Sequence, residues 1–228
     1  MRVVIMGGTS GIGLAAAELL AADGAEVIVT GRDPERLAAV KDRVALAEAV
    51  DGTDEEQVAA FFERTGPVDH LVLAFSSGGG GMRPATETGA DDVRSAFEGK
   101  LFAYLSAVRH ATVTGSIVFI SAASARAALP GTVTLAAVNG AIERMVPPLA
   151  AELAPVRVNV VSPGVIDTPW WGFLPEEARA AQFEAMASGL PAKRVGRPDD
   201  VAAAIRYLID ATYVTGTILP VDGGFTVA

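Results

Sequence analysis

Val3-Val4-Ile5-Met6-Gly7-Gly8-Thr9-Ser10-Gly11-Ile12-Gly13-Leu14-Ala15-Ala16-Ala17-Glu18-Leu19-Leu20 is the stretch whose reading decides the fold. Residues 3–6 are a short apolar run of the kind that forms a buried strand, and Leu14, Ala17, Leu20 and Ala21 then recur near helical spacing over 12–23, with Gly24 as a stop. Between them lies a turn made of glycines and hydroxyls. A helix N-terminus presents free N–H groups and the positive end of its dipole. Glycines let the backbone turn sharply and approach a phosphate closely, and Thr9 and Ser10 add hydroxyl donors. Gly7, Thr9, Ser10, Gly11, Ile12 and Gly13 are therefore expected to cradle a pyrophosphate. An ordinary glycine-rich turn has the same composition, but this one stands in the strand–turn–helix setting that phosphate binding requires.

Outward from that unit the same alternation repeats. Strands are expected at 26–30, 44–50, 68–75, 116–121, 156–161 and 217–221. Helices are expected at 34–41, 54–64, 91–111, 133–153, 175–187 and 199–210, with a kink at Pro147-Pro148. Asp33 is placed to cap the second helix and Pro34 to occupy its first position. Near-continuous apolar strands alternating with helices imply an α/β fold: a Rossmann-type, doubly wound parallel β-sheet in three α/β/α layers, with 1–228 as a single domain. The glycine run 78–81 reads as a loop at a strand's C-terminal end, where open α/β sheets bind ligands.

Composition narrows the function. A net charge of −9 without a basic block disfavours a nucleic-acid partner. The absence of cysteine excludes disulfides and thiolate chemistry, and His70 and His110 have no metal-ligand spacing, so no metal is expected. No signal-peptide pattern and no bilayer-length apolar run is present, which implies a soluble cytoplasmic chain without a membrane partner. The second strand ends in Thr30-Gly31-Arg32-Asp33, where such folds meet the adenosine ribose. An acid there bonds a 2′-hydroxyl and an arginine accommodates a 2′-phosphate. With Asp33 committed to capping, Arg32 favours NADP(H) over NAD(H); the alternative is a solvated surface arginine.

The spacing Gly7-x-x-x-Gly11-x-Gly13 resembles that of the short-chain dehydrogenase/reductase family, and the resemblance runs along essentially the whole chain. Asp51-Gly52-Thr53-Asp54 resembles the family's acidic turn, which implies Asp51 and Gly52 at the adenine. Asn159-Val160-Val161-Ser162-Pro163-Gly164-Val165-Ile166-Asp167-Thr168 resembles its Pro-Gly segment, which implies Pro163, Gly164, Ile166 and Thr168 around the nicotinamide. Gly196-Arg197-Pro198 and the stretch from Val214-Thr215-Gly216 to Asp222-Gly223-Gly224 match its C-terminal region. Leu73-Ala74-Phe75-Ser76 stands where the family has Asn-Asn-Ala-Gly, with Phe75 and Ser76 beside the cofactor and Phe75 and Met82 as pocket residues. The resemblance also implies a homo-oligomer, a tetramer before a dimer, built on the helices at 91–111 and 133–153.

The resemblance fails at the catalytic positions. Leu135 stands for the family's tyrosine, Asn139 for its lysine, Ala122 for its serine and Lys100 for its helical asparagine. Carbonyl reduction needs a proton donor as well as a hydride, and Leu135 cannot donate one. Lys100, Ser121, Ser124 and Asn139 are the replacement candidates: Lys100 as the acid, the serines as hydroxyl sources, Asn139 as a ribose ligand. The alternatives are an ion pair of Lys100 with Glu98 or Glu143, and serines that merely bond the loop backbone. Trp170, Trp171 and Phe173 resemble a mobile substrate loop, or else pack on the body or another subunit. Two functions follow: an NADP(H)-dependent oxidoreductase of a small carbonyl or alcohol substrate with an unusual proton donor, or an NADP(H)-binding protein without redox turnover, with non-redox chemistry on the same scaffold a third.

Overall fold

Alternation along the first strand sets the layers. In β1 (Arg2–Met6) Val3 and Ile5 face one side of the sheet while Val4 and Met6 face the other, and all four are fully buried. The computed structural model describes residues 1–76 and 82–227, so the glycine run 78–81 lies outside the described residues. After β1 come α1 (Gly11–Ala22), β2 (Glu26–Gly31), α2 (Pro34–Val40), β3 (Leu46–Ala49), α3 (Glu55–Thr65) and β4 (Val68–Leu73). The second half contains α4 (Ala90–Ala96), α5 (Ala103–His110), β5 (Val113–Ile120), α6 (Val133–Glu152), β6 (Arg157–Pro163), α7 (Glu176–Gly189), α8 (Pro198–Asp210) and β7 (Ile218–Val221).

The seven strands form one sheet in the order β3-β2-β1-β4-β5-β6-β7, and every pairing is parallel. One face carries a core in which Val4, Met6, Leu71 and Phe119 meet Phe61 of α3, Tyr104 of α5 and Ile142 of α6. The other carries Ile5, Val72 and Val118 against Ala17 and Leu20 of α1 and Ile205 and Leu208 of α8. This is the doubly wound Rossmann-type architecture. Strand order reverses between β1 and β4, and the crevice beyond those carboxyl ends is where such sheets take a ligand.

Local chemistry explains most boundaries. Asp33 accepts from the N–H groups of Glu35 and Arg36 at 2.9 and 3.2 Å, the cap expected for α2, and Asp54 does the same for α3. Of the differences from expectation, three bear on how the chain packs. The helix expected over 91–111 is interrupted by a π-helical turn, Phe97–Phe102, between α4 and α5. β5 starts at Val113, three residues before the expected 116, through a glycine position where a Cβ would lie 2.7 Å from the Asp69 carbonyl oxygen. α6 continues unbroken through Pro147 and Pro148, both on its exposed side, where each removes only one N–H from the ladder.

Arg157, at the start of β6, ties two elements together. Its guanidinium donates to the carbonyls of Leu208 and Ile209 at 2.6 and 2.7 Å, closing the C-terminus of α8 with a positive charge. Replacing it as Arg157→Met should keep the aliphatic stem and lower unfolding free energy by about 1.5–3 kcal/mol, the range for hydrogen bonds to a charged group. Urea unfolding checks this, and an unchanged midpoint would show that those carbonyls are satisfied without the arginine.

Candidate functional site

The turn after β1 is shaped for close approach. Gly7 and Gly11 have φ of 85° and 53°. A Cβ on Gly13 would collide with the Gly7 carbonyl oxygen, and one on Gly31 would lie 2.8 Å from the Thr9 hydroxyl. Ser10, the residue before α1, makes no side-chain cap, so the first-turn N–H groups of Ile12 and Gly13 receive no acceptor from it. Thr168 packs against Gly11, bringing the segment after β6 onto the same turn. An uncapped helix start with glycines that no side chain could replace fits a nucleotide pyrophosphate.

The β2 end of this crevice is basic on one side. Arg32 is 58% exposed and its Nη1 lies 3.8 Å from Asp51. Arg36, which sequence reasoning missed, reaches back from α2 to Ser10 Oγ at 3.4 Å while pairing with Asp33 at 3.3 Å. Two guanidiniums thus flank the β2 end. The one available signal was its place one helical turn after Arg32. Beside them the Phe75 ring fills the space that a side chain at Gly52 would need, with ring atoms 2.7 Å from the position of that Cβ. The structure thereby joins Asp51, Gly52 and Phe75; Ser76 is exposed. Gly164, Cβ-free against Asp222, follows Pro163, and Ile166 is buried below Trp171, whose indole N–H donates to the Ile166 carbonyl at 3.0 Å.

Lys100 lies in the π-helical turn, a feature frequent at functional sites. Its Nζ donates to Asn139 Oδ1 at 2.7 Å and reaches the Ser121 carbonyl at 3.5 Å. Asn139 in turn donates through Nδ2 to Ser124 Oγ at 3.2 Å and to the Leu135 carbonyl at 2.9 Å, which fixes its Oδ1 toward the lysine. The sequence candidates Lys100, Ser121, Ser124 and Asn139 are therefore one cluster. The Asn139 amide is taken up within it rather than turned outward. Desolvation brings the Lys100 amine down to about 8.

Neither Glu98 nor Glu143 forms the ion pair considered for Lys100. Glu143, 5% exposed, instead accepts from Ser121 Oγ at 2.9 Å and Ser162 Oγ at 2.7 Å and pairs with Arg126 at 3.3 Å. Arg126 also donates to Ser162 Oγ at 3.0 Å. The sequence did not announce the partners of this second network. The Ser121 hydroxyl thus belongs to Glu143, and only its carbonyl faces Lys100. Tyr104, one turn after Lys100, is fully buried; its hydroxyl donates to the Phe75 carbonyl at 2.9 Å and burial pushes its phenol up, so it is fixed as a neutral donor. Trp170, Trp171, Phe173 and Phe183 form an aromatic cluster with ring spacings from 4.9 to 5.9 Å, in which Trp171 is buried and Phe173 is 58% exposed.

Comparison with known proteins identifies the family. Residues 7–226 match a family model described as Enoyl-(Acyl carrier protein) reductase. The chain is 35% identical to the 3-oxoacyl-[acyl-carrier-protein] reductase MabA of Mycobacterium tuberculosis, over 97% of this chain and 91% of that one. It is 32% identical to the short-chain dehydrogenase/reductase ATR9 of Stachybotrys chlorohalonatus, over 97% and 95%. The chain belongs to the short-chain dehydrogenase/reductase family. A solved small-chain dehydrogenase in complex with NADPH superposes with a TM-score of 0.86 at 30% identity, covering 100% of this chain and 99% of that one. None of the helices in the described residues is long and apolar enough to cross a membrane.

The Lys100 environment has a consequence for stability. Below pH 8 both folded and unfolded chains hold the proton, and the folded one carries the full desolvation penalty. Between about 8 and 10.5 the folded chain releases its proton first, so the unfolded state binds more protons and stability rises with pH. Wild type should therefore gain about 1–3 kcal/mol relative to Lys100→Met between pH 7 and 10.5. Urea unfolding of both across that range gives the difference; parallel pH curves would place the amine in water.

Proposed function

We propose that the chain is an NADP(H)-dependent oxidoreductase of a small carbonyl or alcohol substrate in which Lys100 supplies the proton. In this reading the family's usual serine, tyrosine and lysine positions hold Ala122, Leu135 and Asn139. The observation that carries it is the Lys100 amine, desolvated and held at 2.7 Å by Asn139, with no carboxylate paired to it among the described residues. An amine near 8 exchanges its proton at working pH, which suits general acid–base work. Bound NADPH would supply the hydride. Gly7, Thr9, Gly11, Ile12 and Gly13 would hold its pyrophosphate, and Arg32 with Arg36 its 2′-phosphate. The NADPH held by the similar small-chain dehydrogenase and the 3-oxoacyl substrate in the name of the mycobacterial relative support cofactor and substrate class. Exposed Phe102, Leu105 and Val133 on the π turn, α5 and α6 support a second copy of the chain as the partner of that face.

A second reading rests on the closure of the cluster: Asn139 spends every polar atom of its amide on Lys100, Ser124 and Leu135. A chain that binds nucleotide without turning it over would also retain such a network.

Calorimetric titration with both nucleotides tests the cofactor. NADPH should bind more tightly than NADH, and Arg32→Ala should weaken NADPH by about 1.5–3 kcal/mol while leaving NADH nearly unchanged. Equal affinities would remove the 2′-phosphate assignment. A carbonyl panel followed by NADPH oxidation tests turnover. On any substrate found, Lys100→Met should lose at least about a hundredfold in kcat with NADPH affinity within a few-fold. Full activity in the variant would eliminate Lys100 as the donor, and tight binding with no oxidation across the panel would favour the second reading.

A further inference from the structure

The hydrogen bonds around Lys100 leave one position on its nitrogen unused. A neutral amine has two N–H groups and one lone pair. The two acceptors at Nζ, Asn139 Oδ1 and the Ser121 carbonyl, match those two N–H groups and no more. Among the described residues no third acceptor and no carboxylate meets the nitrogen, so the remaining tetrahedral position carries a lone pair in the neutral form. Asn139 cannot turn over to offer a donor instead, because its Nδ2 is held by Ser124 and Leu135. Lys100 also keeps part of its surface exposed.

We propose that Lys100 is a nucleophile that captures small aldehydes and ketones as an imine, an activity separate from hydride transfer. The nitrogen lone pair bonds the carbonyl carbon as the C=O π pair moves to oxygen. One amine proton passes to that oxygen, giving a carbinolamine. The second amine proton then leaves with the hydroxyl as water while C=N forms, so amine and carbonyl become imine and water with no oxidant or reductant. We assign the proton relay for loss of water to Ser124 Oγ, on the far side of the Asn139 amide: it accepts from Asn139 Nδ2 at 3.2 Å, and its own proton has no acceptor among the described residues. Desolvation supports the assignment. With the amine near 8, about a tenth is neutral at pH 7, against well under a thousandth for an ordinary lysine. Desolvated lysines of this kind form Schiff bases with carbonyl substrates.

The chain offers its own controls, since its only other lysines, Lys41 and Lys193, are both exposed. Wild-type protein without nucleotide is incubated with butanal and cyanoborohydride, and N-butylation at each lysine is followed by peptide mass mapping. Lys100 should be alkylated at least about tenfold faster than Lys41 or Lys193 at pH 7. Its rate should level off above about pH 8, while theirs continue to climb toward pH 10. Lys100→Arg should lose this adduct and keep the other two. Alkylation of Lys100 no faster than the surface lysines, or a rate that climbs in parallel with theirs, would overturn the proposal. The wild-type comparison decides even if the variant fails to fold. With no nucleotide present, the outcome is independent of whether the chain oxidises NADPH.

Discussion

The inner strands of this sheet have no face to give to water. Val3, Val4, Ile5, Leu71, Val72, Val118, Phe119 and Val160 are all completely buried, so each strand must be covered on both sides. Covering both sides of parallel strands forces every connection to be a crossover through a helix. All carboxyl ends therefore emerge at one edge, and residues far apart in the chain meet there: the Gly7–Gly13 turn, Arg32, Phe75, Ser121 and Pro163. The polar groups admitted inside obey the same constraint. Ser116, fully buried on β5, is matched by the His70 imidazole on β4 at 2.8 Å. His110 finds Glu55 at 3.0 Å. Both histidines thus have ordinary structural partners.

Close packing at that edge explains why small and large residues are exchanged across it. Phe75 presses on Gly7 and Gly52, and either glycine with a Cβ would displace it, at 2.8 and 2.7 Å respectively. Behind it, Tyr104 makes an edge contact with the Phe75 ring at 5.1 Å and holds the Phe75 carbonyl through its hydroxyl. Helix α5, the end of β4 and the acidic turn after β3 are therefore one packed unit. The shape of the crevice wall depends on a core tyrosine that cannot itself contact a ligand.

How much of this was legible follows from how far each signal travels along the chain. Strand and helix periods, the Asp33 cap and the glycine turn are local, and they appear where the pattern places them. The π-helical turn at Phe97–Phe102 has no compositional mark, because one extra residue in a helix leaves no trace in a short apolar pattern. Lys100 was legible only through resemblance, which identified its position without its partners. Arg36 and the Arg126–Glu143 pair depend on how elements pack, so their neighbourhoods did not name their partners. Glu143 in particular sits on the buried face of α6, where a carboxylate is foreign to the period and makes sense only beside Arg126, Ser121 and Ser162.

Burial alone lowers the Lys100 amine, and Glu143 takes no part in it. The two networks share one residue: Ser121 gives its carbonyl to the lysine and its hydroxyl to the glutamate. A carboxylate close to an ammonium favours the charged form and holds its pKa up, whereas burial among neutral acceptors lowers it. Arg126 engages one Glu143 carboxylate oxygen, while Ser121 and Ser162 occupy the other. Breaking a buried pair by removing one partner is costly, so the glutamate is held in place by more than one interaction. The lysine is left with only an amide oxygen and a distant carbonyl. A basic group buried among neutral acceptors in this way has a proton, or a lone pair, to offer to something else.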